Sequence, residues 1–360
     1  MKNILVTGGA GFIGSNFIKY MLSLYDYKII NLDLLTYAGN LENLADIENN
    51  ENYIFIKGDI KDKQLVESIF EDYNITHVVN FAAESHVDRS IENPEIFLLT
   101  NVFGTQVLLD AAKRKWKVNP KDKYDNKYKE DVKFIQVSTD EVYGTLGDQG
   151  MFKETNNLQP NSPYSASKAS ADLMVRAYGK TFGLPVNITR CSNNYGPYQF
   201  PEKLIPLMIN NCTKNKKMPI YGNGMQIRDW LHVKDHCRGI DVVIHKGKIG
   251  EVYNIGGNNE KANIDIVRLI VKELGKGEEL IEYVKDRPGH DKRYAIDNTK
   301  ITTELGWTPS YTFEKGMYET IRWYIKNNEW IEKISSGDYM EYYSKMYGKC
   351  DILNSNDQLN

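Results

Sequence analysis

A chain of 360 residues with 41% hydrophobic content is long enough to bury a full core and to divide into two lobes. Its 45 basic and 48 acidic residues are interspersed and leave a formal charge of -3, so no positive field exists to hold a polyanion, and nucleic acid is excluded as a partner. No stretch is apolar for long enough to span a bilayer, and the run Ile4-Leu5-Val6 meets glycine too soon to be a signal-peptide core, so the expected address is the cytoplasm.

In chain order, Lys2 to Val6 is a short β-rich run ended by Thr7-Gly8-Gly9, after which Phe12, Ile13, Phe17 and Ile18 recur at helical spacing. This predicts strand, glycine turn, helix. Gly8, Gly11 and Gly14 are spaced GxxGxxG, which lets the backbone approach a pyrophosphate and the helix N-terminus face it, with Phe12 and Ile13 in the first turn. Asp33 ends the second apolar run, Lys28 to Leu32, 19 residues after Gly14. There a carboxylate accepts both ribose hydroxyls and repels a 2′-phosphate, so NAD is favoured over NADP. Asp59-Ile60 after Tyr53 to Ile56, and Ala82-Ala83 after His77 to Phe81, fall where a dinucleotide crosses the carboxyl ends of strands.

Further short apolar runs at Lys133 to Val137 and Val186 to Thr189 alternate with helix-like segments. The pattern predicts an α/β fold with a doubly wound parallel sheet of the Rossmann type. Beyond Arg190 the alternation gives way to segments marked by glycine and proline, such as Tyr195-Gly196-Pro197, and a smaller substrate-binding lobe is expected to begin. Glu251 to Gly257 reads as one more strand of the sheet, so the lobes interleave. The expected division is a dinucleotide-binding domain over 1–190 with a return near 229–258, and a mainly substrate-binding lobe over 191–360. Cys191, Cys212, Cys237 and Cys350 are far apart and form no CxxC pair, which reads as reduced thiols. His232 and His236 are spaced like half a metal site but lack a third ligand motif, and no metal is expected.

Tyr164 and Lys168 form a Tyr-x-x-x-Lys pair on one face of a helix that begins near Pro163. An ammonium so placed favours phenolate, making Tyr164 a general base, while Lys168 holds a ribose hydroxyl.

With these motifs the chain resembles the extended short-chain dehydrogenase/reductase family over nearly its whole length. Ser138-Thr-Asp-Glu-Val-Tyr-Gly144 resembles the 4,6-dehydratase branch of that family, whereas its epimerases and decarboxylases usually lack the Asp-Glu pair. The resemblance implies an NAD-dependent lyase acting on dTDP-glucose. In it Tyr164 is the base at C4 and Thr139 bonds the C4 oxygen. Glu141 takes the C5 proton and Asp140, which must be protonated, gives a proton to the departing C6 hydroxyl. It also implies substrate contacts at Ser85, His86, Asn194, Glu202, Lys203, Leu204, Tyr221, Arg228, His290 and Arg293. Of these, Arg228, Arg293 and Asn194 are assigned to the phosphates and Tyr221 to the thymine. A homodimer built from helices near Asn101 to Ala112 and Ser165 to Tyr178 is implied too, as is a route to deoxysugars such as rhamnose. Two other readings remain at this point: a nucleotide-sugar 4-epimerase or decarboxylase, and a redox sensor that binds the dinucleotide without turnover.

Overall fold

A computed structural model describes residues 2–122, 125–286 and 291–334. His290 and Cys350, named above, lie outside the described residues. Among those described, the strands are β1 Asn3–Thr7, β2 Lys28–Asp33, β3 Tyr53–Lys57, β4 His77–Asn80, β5 Lys133–Thr139, β6 Val186–Cys191, β7 Asn193–Tyr195, β8 Met218–Tyr221, β9 Ile227–His232, β10 Val252–Ile255, β11 Glu260–Ala262 and β12 Ile281–Val284.

Seven of these form one parallel sheet in the order β3-β2-β1-β4-β5-β6-β10, the doubly wound arrangement that the alternation predicts. Parallel neighbours need a crossover, and helices supply it: Phe12–Leu24 after β1, Lys63–Asp72 after β3, Thr105–Trp116 after β4 and Pro163–Phe182 after β5. Both faces of the sheet are therefore covered. In β1, Ile4 and Val6 belong to the core that holds Phe17, Ile18, Ile240 and Tyr253, whereas Leu5 belongs to the opposite core with Leu108, Trp116 and Val175. Each such side chain contributes about 1.5–3 kcal/mol by its burial, which fixes the strand's register.

Strand order reverses direction between β1 and β4, and at such a switch point a crevice opens beyond the carboxyl ends. The strands that frame it outlast their apolar runs: β2 ends in Asp33, β5 in Thr139 and β6 in Cys191. Hydrophobicity stops there but backbone pairing does not, since Asp33 pairs with Lys57 and Thr139 with Cys191.

The strand expected at Glu251 to Gly257 is β10, whose Ile255 lies beside Cys191 of β6. The helix Val233–Lys246 leads into it and joins the core beside the helix Phe12–Leu24. The preceding strand, β9, pairs instead with β7 and β11 in a separate sheet. The remaining core gathers Tyr195, Met208, Trp230, Ile270, Phe313 and Tyr324, which come from β7, β9 and the helices Leu204–Thr213, Asn263–Glu273 and Phe313–Lys326.

Candidate active site

The glycine turn sets the geometry of one end of the crevice. Gly8 has φ +69, and a Cβ added there would lie 2.7 Å from the Ala82 nitrogen; on Gly14 it would lie 2.3 Å from the Gly8 carbonyl oxygen. Only glycine permits both close approaches. The helix Phe12–Leu24 starts after Gly11 with no side-chain cap and no acidic residue in its first turn, so its positive end stays available to an anion. Asp33 stands opposite: one carboxylate oxygen accepts the Ala10 N–H at 2.9 Å and the other the Leu35 N–H at 2.8 Å. Burial raises the Asp33 pKa, and those two N–H groups work against the rise. Each oxygen keeps a lone pair for a ribose hydroxyl. Gly11, Phe12, Ile13, Asp59, Ile60, Ala82 and Ala83 line the same cleft, so the residues fit a dinucleotide whose adenosine ribose carries no phosphate.

The cleft continues to Thr139, Asp140, Glu141, Tyr164 and Lys168. Thr139 ends β5 and caps the helical turn Asp140–Tyr143, its hydroxyl accepting the Glu141 N–H at 3.3 Å. The helix Pro163–Phe182 is fixed at its start by Pro163 and by a Ser162–Ser165 capping box, which places Tyr164 in the first turn and Lys168 one turn later. Lys168 donates through Nζ to the Val137 carbonyl at 2.7 Å, using one of three donors. Burial lowers its pKa while Asp172 and Cys191 raise it.

Burial, then Glu141 and Cys191, raise the Tyr164 phenol well above its usual value, and the Thr139 hydroxyl works against that rise. Asp140 is 2% exposed. Its Oδ1 accepts the Thr139 hydroxyl at 3.2 Å and its Oδ2 has no partner among the described residues. Burial, then Glu141 and Asp229, raise its pKa well above the carboxylate range. Two adjacent carboxyl groups thus differ in environment, which separates an acid from a base.

A raised folded-state pKa means the folded chain holds the proton more tightly than the unfolded one. The Asp140 carboxyl is therefore harmless in acid and opposes folding increasingly as pH climbs past its unfolded value of about 3.9. Asp140→Asn is expected to raise the unfolding temperature of the ligand-free protein at neutral pH, and by less in mild acid. Thermal melts at both conditions check this; a lower melting point at neutral pH contradicts it.

Of the substrate residues read from the sequence, Ser85, Asn194, Glu202 and Lys203 line the cleft. Glu202 is buried; its Oε1 accepts the Tyr37 hydroxyl at 3.1 Å and its Oε2 lies 3.7 Å from Arg89 Nε. Lys203 donates to the Ser85 carbonyl at 3.3 Å. His86 precedes the short helix Val87–Glu92, with Nε2 3.9 Å from Glu202, and Leu204 opens the helix Leu204–Thr213 against the core of Tyr195, Met208 and Trp230. Tyr221 ends β8, away from the cleft wall. Arg228 binds the Ile227 and Asp291 carbonyls at 2.8 and 2.9 Å, and its charge lowers the Asp140 pKa. In the protein alone Arg293 Nε and Nη2 clasp Glu260 at 2.6 and 2.8 Å, and Nη1 donates to the Gly147 and Gly150 carbonyls. That guanidinium braces a loop.

His232 and His236 do not pair as ligands. His232 caps the helix Val233–Lys246 and stacks on Tyr311 with ring centroids 3.9 Å apart, whereas His236 faces Asn194 Oδ1 at 2.9 Å from Nδ1. Burial lowers the His236 pKa to about 3, so the ring is neutral and orients a cleft residue. Among the described residues no group of three or more His, Cys, Asp and Glu is placed to hold a metal.

Sequence reading passed over Asn101, Ser138 as a ligand group, and Cys191. Asn101 is buried in a π-helical stretch, Leu98–Gly104, where its side chain bonds both backbone groups of Glu84 and the Ser167 hydroxyl at 2.8–3.0 Å. It ties the loop after β4 to the catalytic helix, and π-helical insertions of this kind recur at functional sites. The buried Ser138 hydroxyl faces the cleft without a partner among the described residues, and Cys191 donates to the Ser138 carbonyl at 3.4 Å. The buried thiol's pKa is raised to about 12, so it is not a nucleophile.

Against known proteins, the sequence profile for GDP-mannose 4,6 dehydratase matches residues 5–320. A dTDP-glucose 4,6-dehydratase of Xanthomonas campestris pv. campestris is 53% identical over 348 residues, covering 94% of this chain and 97% of the relative. The chain belongs to the dTDP-glucose 4,6-dehydratase family. The crystal structure of the dTDP-glucose 4,6-dehydratase of Bacillus anthracis in complex with NAD shares 54% identity at a TM-score of 0.84, covering 93% of this chain and all of that one. That of Streptomyces venezuelae, with NAD and dTDP bound, shares 45% at 0.86, covering 92% and 99%. The doubly wound sheet is common to them. Membership of the dTDP-glucose 4,6-dehydratase family accounts for the Asp140–Glu141 pair, which neither a 4-epimerase nor a redox sensor requires.

Proposed function

We propose that the protein is an NAD-dependent hydro-lyase that converts dTDP-glucose to dTDP-4-keto-6-deoxy-glucose and water. The observation that carries this reading is Asp140, a buried carboxyl beside Glu141 whose pKa burial raises, in one cleft with Tyr164 and a dinucleotide cradle. Bound NAD supplies the reversible redox capacity, oxidising C4 and reducing C6 of the same sugar.

The chain's own groups move the protons. Tyr164 accepts the C4 hydroxyl proton while Thr139 bonds the C4 oxygen. The resulting ketone acidifies C5, Glu141 removes that proton, and Asp140 protonates the C6 hydroxyl so that it leaves as water. Glu141 then returns its proton to C5. The proton gained by Tyr164 equals the one lost by Asp140, so the protein ends one internal transfer from its starting state. Lys168 holds a ribose hydroxyl, and Gly8, Gly11, Gly14 and Asp33 hold the dinucleotide. Ser85 and Glu202 line the sugar's side of the cleft, and Asn194 and Lys203 line it where they serve the diphosphate; the family resemblance adds Arg228 and Arg293 to the diphosphate's ligands and Tyr221 to the thymine's.

Within the chain, the dinucleotide domain comprises 1–190 with a return near 229–258, and 191–360 is mainly the nucleotide-sugar lobe. The protein works in the cytoplasm, in keeping with buried free thiols at Cys191, Cys212 and Cys237, and among the described residues no helix is long and apolar enough to cross a membrane. Its product feeds deoxysugar synthesis, rhamnose first among the candidates.

The active form is a homodimer through a four-helix interface. Leu98, Leu99 and Phe103 beside the helix Thr105–Trp116, and Leu173 on the helix Pro163–Phe182, leave large apolar side chains exposed, Leu173 at 55%. Leu173→Asp is expected to shift sedimentation from dimer to monomer; an unchanged dimer contradicts this face. The functional reading itself is tested by incubating the purified protein with dTDP-glucose and UDP-glucose side by side and identifying products by NMR. The 4-keto-6-deoxy product from dTDP-glucose is expected. An epimerised hexose, or no change, overturns it.

A further inference from the structure

The loop that leaves Asp33 is closed at both ends on the cofactor cradle. Leu35 N–H bonds the Asp33 carboxylate at 2.8 Å, and Asn40 N–H bonds the Ala10 carbonyl of the glycine turn at 3.0 Å. The backbone of Gly39 passes so near the carboxylate that an added Cβ would lie 2.8 Å from Asp33 Oδ1. Thr36, Ala38 and Gly39 line the cleft beside Asp33, so this loop forms the wall over the place where a ribose binds.

One side chain at the middle of that loop, Tyr37, turns away from the cradle to the segment that opens the second lobe. Its hydroxyl donates to Glu202 Oε1 at 3.1 Å. One face of its ring lies against the Arg89 guanidinium, whose Cζ is 3.7 Å from the ring centroid, and its ring meets Phe200 edge-on at 5.6 Å. Arg89 also approaches Glu202, at 3.7 Å from Nε to Oε2. A phenol held by a cation, a second ring and a buried carboxylate is a fixed anchor, and it joins three segments that are far apart in the sequence.

We propose that Tyr37 is a latch: its bond to Glu202 pins the ribose-covering loop to the substrate lobe, so that the dinucleotide leaves only when this bond breaks. The inference rests on the NAD-dependent reading above. It has a chemical rationale in that reading, since a coenzyme regenerated in place within each turnover never needs to exchange. Retention then carries no penalty in rate, and the latch keeps a partly reacted sugar with its own coenzyme. Tyr37 is a positioning residue; it acts on the coenzyme through the loop.

The test uses the NAD-loaded protein and follows exchange of bound NAD for isotopically labelled NAD. A hydrogen bond to a carboxylate contributes enough that Tyr37→Phe, which keeps the ring and its stacking, is expected to release NAD about tenfold faster or more. Glu202→Ala, which leaves no acceptor for the phenol, is expected to accelerate release as well, and the double variant no further than the faster single variant, because both remove the same contact. Wild-type rates in Tyr37→Phe, or independent effects that multiply in the double variant, overturn the latch. If the unaltered protein binds no NAD at all, the functional reading falls instead, and that result is told apart by its appearing before any substitution is made.

Discussion

Glu141→Gln is expected to lower turnover of dTDP-glucose by about 10²–10⁴-fold, the contribution of a positioned general base. The protein should still bind NAD and still oxidise C4, because Tyr164 and Thr139 remain. Elimination then fails for want of a base at C5, and reduced coenzyme accumulates on the protein, visible by its near-ultraviolet absorbance. The variant separates the two halves of the reaction in one measurement. Loss of turnover with no absorbance change would place Glu141 at the oxidation step, and wild-type turnover would remove it from the mechanism. Folding should be little affected, since Gln preserves shape and the Glu141 amide still bonds the Thr139 hydroxyl.

Tyr164→Phe is expected to reduce turnover by a comparable factor, about 10²–10⁴-fold, but with the opposite signature. Without a group to accept the C4 hydroxyl proton the reaction stops before oxidation, so no reduced coenzyme appears on mixing with dTDP-glucose. In the protein alone, burial and Glu141 raise the phenol well above its ordinary pKa, and the Thr139 hydroxyl works against that rise. A Tyr164→Phe protein that builds up reduced coenzyme would show that another group takes the C4 proton.

The dinucleotide half of the molecule was legible because its signals are local. A glycine turn, an aspartate at a strand end and pairs of small residues each announce a backbone requirement within a few residues, and every one of them lines the cleft. The Tyr164–Lys168 pair and the Asp140–Glu141 pair were legible for the same reason, since helix and turn geometry bring near neighbours to one face. The strand ends were less so. Asp33, Thr139 and Cys191 extend the ladder past the hydrophobic runs that marked the strands, because main-chain pairing is indifferent to side-chain polarity.

What could not be read was whatever depends on contacts between distant segments. No local signal announces that Glu260, 33 residues away, takes the Arg293 fork in the protein alone. His232 and His236 have helical spacing, but His232 is a cap and only His236 faces the cleft, through Asn194. Asn101 and Tyr37 carry no motif at all; their roles arise from bonds to Glu84 and Ser167 and to Glu202, made when the chain closes. The raised pKa of Asp140 has no local signal either, since burial and the like charge of Asp229 come from the folded chain.

The central claim is that one bound coenzyme oxidises C4 and reduces C6 of the same sugar molecule, and isotope placement tests it most directly. dTDP-glucose carrying deuterium at C4 is mixed with unlabelled substrate, and the product is examined by mass spectrometry and NMR. Each labelled molecule is expected to keep its deuterium and to carry it in the C6 methyl group. Deuterium lost to solvent, carried away on released coenzyme, or scattered among initially unlabelled molecules would contradict it.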